Sequence, residues 1–104
     1  MSQFDVFENP IPRARRAYPF VAVLQSSLAD TGRDRIVAPL APRKRLAGTI
    51  GRLAPHVTVE GVDHVLLVPS MTAVLASDLR DKRGQLISFR NEIVAALDCL
   101  FLGV

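Results

Sequence analysis

The chain has 104 residues, 49% hydrophobic and 22% charged, which excludes a disordered protein and predicts one domain over residues 1–104. Thirteen basic residues against ten acidic ones give a formal net charge of +3, which permits a nucleic-acid or acidic-protein partner without requiring one. One cysteine, no signal-peptide pattern after Met1 and no run long enough to span a bilayer predict a cytoplasmic protein with no membrane partner.

The first half of the chain alternates between strand patterns and breaks rich in proline, glycine and arginine. Apolar or alternating runs predict strands at 4–7, 18–24 and 36–40. The turn Asp30-Thr31-Gly32-Arg33 joins the second and third of these into a long-looped hairpin. Residues 43–52 predict at most a short helical turn, because Gly48 and Gly51 disfavour a helix.

The second half predicts three further β segments and then a helix. Residues 56–60 and 64–68 form a hairpin around the tight turn Gly61-Val62-Asp63, 71–75 is a strand, and 81–84 is a charged loop. The helix begins with Ser88 as its cap, has Glu92 in its first turn and ends at Gly103. Its apolar residues recur every three or four positions, which predicts a single buried face: Phe89, Ile93, Ala96, Leu97, Leu100 and Phe101.

This order predicts a mainly β fold, an antiparallel small barrel or partly open sheet packed against one C-terminal helix. The inventory of reactive groups is thin, and we expect no catalytic residues, no cofactor and no metal site. His56 and His64 flank a hairpin turn and could face one another, but two ordinary strand histidines are the favoured interpretation. Three basic clusters could form one phosphate-binding patch; they are Arg13-Arg15-Arg16, Arg33-Arg35 and Arg43-Lys44-Arg45.

Segments spread over nearly the whole chain resemble the CcdB family of toxins from bacterial toxin–antitoxin modules. The similar segments are Gln3-Phe4-Asp5-Val6-Phe7, Val21-Ala22-Val23-Leu24-Gln25-Ser26, 30–40, Asn91-Glu92-Ile93 with Ala96, and Phe101-Leu102-Gly103-Val104. The resemblance implies an SH3-like barrel with a C-terminal helix, acting as a homodimer. It also implies binding to the A subunit of DNA gyrase, trapping of the gyrase–DNA cleavage complex, and neutralisation by a CcdA-like antitoxin whose complex with the toxin binds operator DNA.

The same resemblance assigns the gyrase-binding residues, several of which depart from the family pattern. Phe101, Gly103 and Val104 occupy the tail positions, with Val104 in place of isoleucine. Leu102 stands where the gyrase poison has tryptophan, so the chain lacks the flat ring that stacks on a partner. Asp98 replaces an asparagine. The two neighbouring isoleucine positions of the gyrase site are occupied by Leu28 and Ala29.

Two alternatives to a gyrase-binding toxin remain. A MazF-like endoribonuclease on the same fold would need a base and cationic stabilisers, for which Asp30, Arg33 and Arg35 are the candidates. A homologue without toxicity, serving only as an antitoxin-binding corepressor, is motivated by Leu102. Without the resemblance, the tail would be interpreted as a helix anchor with a frayed end.

Overall fold

The computed structural model describes residues 1–29, 32–46 and 51–103, and within these ranges it contains a 7-stranded sheet and one α-helix. The bounds are β1 Asp5–Glu8, β2 Phe20–Val23, β3 Asp34–Pro42, β4 His56–Val59, β5 Val62–Leu66, β6 Thr72–Leu75, β7 Lys82–Gln85 and α1 Arg90–Leu102. Short 3₁₀ turns connect several of them, among which Pro12–Ala14, Ser27–Ala29 and Arg43–Arg45 matter below. The predicted turn residues Asp30 and Thr31, and residues 47–50, lie outside the described ranges.

All strand pairs are antiparallel, and the sheet runs in the order β4-β5-β3-β2-β1-β7. The nine-residue strand β3 pairs with β2 along one side and with two strands along the other. Its first half pairs with β6 and its last three residues pair with β5. Because β3 pairs first with β6 and then with β5 along the same side, the sheet curls into a half-barrel. The mainly β fold with a C-terminal helix, as predicted, is confirmed.

The β4–β5 hairpin turns on two residues with left-handed backbone conformations. Glu60 has φ 51° and Gly61 has φ 77°, and the pairing of Val59 with Val62 closes the turn around them. Positive φ at both central residues characterises the type I′ turn, whose twist matches that of the flanking strands. Gly61 adopts this conformation without strain. The predicted turn is correct at Gly61 but wrong at Val62 and Asp63, which pair with β4 as the first residues of β5.

The apolar residues divide between the two faces of the curled sheet. The larger cluster fills the concave side and includes Phe4, Val6, Leu40, Leu66 and the helix residue Ile93, all with no exposed surface. A smaller cluster on the opposite face contains Phe7, Val21, Val23, Val37 and Leu79. Neighbouring residues of one strand, such as Val6 and Phe7, belong to different clusters because the side chains of a strand alternate between faces.

Helix α1 covers the concave cluster, and two details of its predicted ends need correction. Ser88 does not cap it: Ile87–Phe89 form a 3₁₀ turn that leads directly into the helix, and no side chain caps the N-terminus. In that turn the Phe89 N–H donates to the Leu86 carbonyl at 2.9 Å, so a backbone hydrogen bond stands in place of the expected capping bond to the Ser88 hydroxyl. Phe101 is 68% exposed instead of buried, because the last turn extends past the core cluster. Gly103 ends the helix as predicted.

The predicted charged loop at 81–84 is wrong, because this segment contributes strand β7, which pairs with β1. The carboxylate of Asp5 on β1 is 4% exposed and anchors the pairing. It accepts the Ser2 N–H at 2.8 Å and the Gln85 amide at 2.6 Å, and lies 3.2 Å from the Lys82 ammonium. The strand has polar, mostly exposed side chains, so it carries no apolar pattern that could have revealed it.

Arg83 on β7 bridges the two ends of the strand path. Its guanidinium lies 3.4 Å from the carboxylates of both Glu8 on β1 and Glu60 in the β4–β5 turn. It also lies over the ring of Phe20, 5.9 Å from the ring centroid. Glu8 forms a second ion pair, with Arg15 at 3.2 Å. Side chains therefore connect the β4–β5 turn to β7, where the sheet itself stays open.

Candidate functional site

The C-terminal tail projects from a helix that is firmly held at its middle. Ile93 and Ala96 have no exposed surface, and Leu97 and Leu100 pack against the same core cluster. A helix fixed along one face transmits that fixed orientation to its last turn. The end of α1 is therefore presented in one direction, which is what a rigid binding element requires.

The last turn exposes two adjacent large apolar side chains. Phe101 is 68% exposed and Leu102 is 71% exposed. Gly103 then adopts the left-handed conformation, φ 72°, and its N–H donates to the Cys99 carbonyl at 3.1 Å. This hydrogen bond closes the helix directly after Leu102 and fixes the last turn against fraying. Val104, the fourth residue of the predicted tail, lies outside the described residues.

The electrostatic potential around Phe101 and Leu102 is negative. The last turn of α1 contains no basic residue, so no side chain there offsets the negative end of the helix dipole. Asp98 is exposed one turn before Leu102 and adds a carboxylate. An apolar centre with an acidic border fits a partner surface that offers an apolar recess edged by cations or N–H donors.

The two other predicted binding residues lie in the Ser27–Ala29 turn. Leu28 is 96% exposed, and Ala29 is exposed as well. The backbone of this turn is fixed locally: the Leu28 N–H donates to the Ser26 hydroxyl at 3.1 Å and the Ala29 N–H to the Ser26 carbonyl at 2.9 Å. The turn therefore presents Leu28 to solvent in a defined geometry.

Gln25 holds that turn to the sheet, a role that the sequence patterns did not predict. Its amide N–H donates to the Ala29 carbonyl at 2.7 Å, and its amide oxygen accepts the Ile36 N–H at 2.6 Å. The side chain thus links the turn to β3. A glutamine shortly after a buried strand, two residues before the Ser27–Ala29 turn, was the available signal.

The structure brings the predicted residues to two exposed places. Among the described residues, the hydrogen bonds of the turn stay within residues 25–36, and those of the tail stay within α1 and Gly103. Both places present leucine to solvent, at Leu28 and at Leu102. No hydrogen bond in the described part of the chain joins them into one continuous surface.

The histidines do not face one another across the β4–β5 hairpin, so the less favoured of the two interpretations of this pair is wrong. His56 pairs with Val65, and His64 pairs with Val57, so their side chains lie on opposite faces of the hairpin. His64 is 3% exposed, with its Nδ1 atom 2.9 Å from the Val62 carbonyl and its ring edge-on to Phe20 at 5.5 Å. His64 is a core residue. Nowhere in the described ranges do three His, Cys, Asp or Glu residues gather as metal ligands.

The ribonuclease candidates receive limited support from the described residues. The Arg35 guanidinium donates two hydrogen bonds of 2.8 Å, to the backbone carbonyls of Gly32 and Asp34. This bonding ties the guanidinium to its own turn. Arg33 is exposed, and Asp30 lies outside the described residues.

Comparison with known proteins identifies the family. A family model described as CcdB protein matches residues 3–103, which is almost the entire chain. A search of curated proteins returns no match. Across the described residues, no helix is both long and apolar enough to cross a bilayer. The extent of the family match, together with the half-barrel and its C-terminal helix, places this chain in the CcdB family of toxins from toxin–antitoxin modules.

Proposed function

We propose that this chain is a toxin that inhibits DNA gyrase by binding its A subunit through the C-terminal tail, without a catalytic step. The observation that carries the proposal is the exposure of Phe101 and Leu102, 68% and 71%, at the end of a helix buried along its middle. Exposing two adjacent large apolar side chains to water is unfavourable for a small domain, and burial against a protein partner would remove this unfavourable exposure.

The energy available from this tail is consistent with a specific contact. Burying a leucine or phenylalanine side chain fully contributes about 1.5–3 kcal/mol each. Leu102 has no flat ring, so its contact with a partner rests on packing into an apolar recess and not on stacking. Asp98 and the helix C-terminus favour basic groups around that recess. Leu28 supplies a second apolar contact, either with the same gyrase A subunit or with a second copy of that subunit.

The remaining parts of the proposal follow the family. A CcdA-like antitoxin neutralises the toxin, and the complex of the two binds operator DNA. The toxin acts as a homodimer, in line with the 49% hydrophobic content of so small a chain. Gyrase works on intracellular DNA, so the proposed location is cytoplasmic. Sedimentation at micromolar concentration tests the dimer, and a purely monomeric boundary would count against it.

A supercoiling and DNA-cleavage assay with purified gyrase tests the proposal. The chain should inhibit supercoiling and accumulate cleaved DNA, and Leu102→Asp should lose both effects because a charged side chain cannot enter an apolar recess. Ile87→Asp is the matched control: Ile87 is 57% exposed and lies at the opposite end of the helix, so the variant should keep full inhibition. Equal inhibition by all three proteins would overturn the role of the tail.

The same protein preparations distinguish the alternatives. Cleavage of RNA without any effect on gyrase would replace the proposal with the endoribonuclease. A chain that is inert toward both gyrase and RNA, and harmless when expressed without an antitoxin, would be the non-toxic corepressor. Gyrase inhibition with intact RNA is the expected result.

A further inference from the structure

Two of the three basic clusters come together in the fold. Arg13 and Arg16 lie in and directly after the 3₁₀ turn between β1 and β2, and Arg43, Lys44 and Arg45 form the 3₁₀ turn that follows β3. The guanidinium of Arg45 donates a hydrogen bond to the Arg16 carbonyl, which joins the two segments across 29 residues of sequence. We call these five residues the basic patch.

The third predicted cluster is not part of this patch. Arg33 and Arg35 lie at the start of β3, whereas Arg43 directly follows its end. Nine residues of strand at about 3.3 Å per residue place a length of roughly 30 Å along β3 between the two ends. Of the three clusters that could have formed one patch, the fold therefore joins two.

The cations of the basic patch have no ion-pair partner among the described acidic residues. All five side chains are exposed, and within the described part of the chain none forms an ion pair. Asp63 shares a shallow depression with Arg43 and Lys44 but is not within ion-pair distance of either. By contrast, Arg15, Lys82 and Arg83 are paired with Glu8, Asp5 and Glu60.

The patch also holds the entire positive excess of the molecule. Of the thirteen basic residues, five lie here, and the other eight are outnumbered by the ten acidic residues. A segregated group of unpaired cations on an otherwise slightly acidic protein is the electrostatic footprint of a polyanion-binding surface.

The chemistry of the patch favours duplex DNA among the polyanions. Four of its five cations are arginines, whose planar forks match phosphate oxygens in a bidentate manner. Binding of single strands relies on aromatic stacking, and Tyr18, two positions after Arg16 in the sequence, is only 36% exposed. We propose that the basic patch binds the phosphate backbone of duplex DNA directly and without reading its sequence. This activity belongs to the toxin itself, and it is independent of gyrase as target.

Fluorescence anisotropy with a 20-base-pair duplex of arbitrary sequence tests the proposal across salt concentrations. Five phosphate contacts predict a slope of log K against log salt near −4.5, hence about a 500-fold loss of affinity between 50 and 200 mM salt. The variant Arg16→Gln/Arg43→Gln/Lys44→Gln leaves two contacts, for which the slope is near −1.8 and the loss about 12-fold. Circular dichroism checks the fold, and Arg43→Gln/Lys44→Gln is the milder second variant, expected to have an intermediate slope.

The matched control removes the same charge elsewhere. Arg33→Gln/Arg80→Gln/Arg90→Gln alters three exposed arginines outside the patch and should keep a slope near that of the unaltered chain. An equal loss of slope in this control, or no binding at 50 mM salt, would overturn the proposal. Tighter binding to a single strand of the same length would also overturn it. More effective competition by polyglutamate than by duplex would reassign the patch to an acidic protein.

Discussion

Arg83 connects the open ends of the half-barrel, and replacing it with methionine measures what that connection contributes. Arg83→Met keeps most of the apolar stem while removing the guanidinium from Glu8, Glu60 and the ring of Phe20. The two ion pairs have N···O distances of 3.4 Å, and the Arg83, Glu8 and Glu60 side chains are 37%, 32% and 48% exposed. At that exposure each pair is worth only about 0.2–1 kcal/mol.

The cation–π contact adds to this figure. A guanidinium about 6 Å from a ring centroid at a partly exposed site contributes about 0.5–1 kcal/mol. We therefore expect Arg83→Met to lower the free energy of unfolding by about 1.5 kcal/mol in urea titrations at low salt. In 1 M NaCl the Debye length falls to about 3 Å, so the ion-pair share should largely disappear while the cation–π share remains.

A double-mutant cycle and a control locate the effect. Arg83→Met combined with Glu60→Gln should show a coupling energy of about 0.5 kcal/mol that vanishes in 1 M NaCl. Arg80→Met removes an exposed arginine whose one hydrogen bond to the described residues is long, 3.5 Å to the Ser77 carbonyl, and should change stability by less than about 0.5 kcal/mol. A loss for Arg83→Met below about 0.3 kcal/mol, or one indifferent to salt, would refute the idea that charged contacts close the half-barrel.

Three further substitutions test other parts of the fold, each by urea denaturation. Ile93→Ala removes a side chain with no exposed surface from the centre of the helix–sheet contact and should cost about 3 kcal/mol; a loss under about 1 kcal/mol would mean that the helix does not depend on it. Asp5→Ala removes the acceptor of the Ser2 N–H, the Gln85 amide and the Lys82 ammonium, and should lower the free energy of unfolding by about 2 kcal/mol. No measurable change would mean that Asp5 does not hold β7 against β1. Gly61→Ala forces a side chain into φ 77° and should cost about 1 kcal/mol; unchanged stability would argue against the type I′ turn.

The elements that could be predicted from the sequence are those in which buried residues recur at a regular spacing over a short segment. The hairpin around Gly61 and the helical stripe through Ile93 and Ala96 each combine a regular apolar period with a clear turn or stop residue. These patterns arise because burial against one core imposes one period on each element. The family resemblance and the order of strands together were sufficient for the fold class.

The elements that escaped prediction depend on distant parts of the chain. Strand β7 exists because its backbone completes an edge of β1 and its residues reach the buried Asp5, none of which is visible in the polar sequence Lys82–Gln85. The orientation of Phe101 depends on where the core ends, because the helical period alone places it beside Leu97. The meeting of Arg45 with Arg16 likewise depends on the curl of the sheet.

Isothermal titration of the purified A subunit of gyrase tests most directly that the tail is the binding end. The full chain should bind, and a chain shortened by Leu102-Gly103-Val104 should bind at least about 10- to 100-fold more weakly, because burial of the leucine alone contributes about 1.5–3 kcal/mol. Unchanged stability in urea would show that the shortened chain is folded. Equal affinity of the two chains, or no binding by the full chain, would contradict the account.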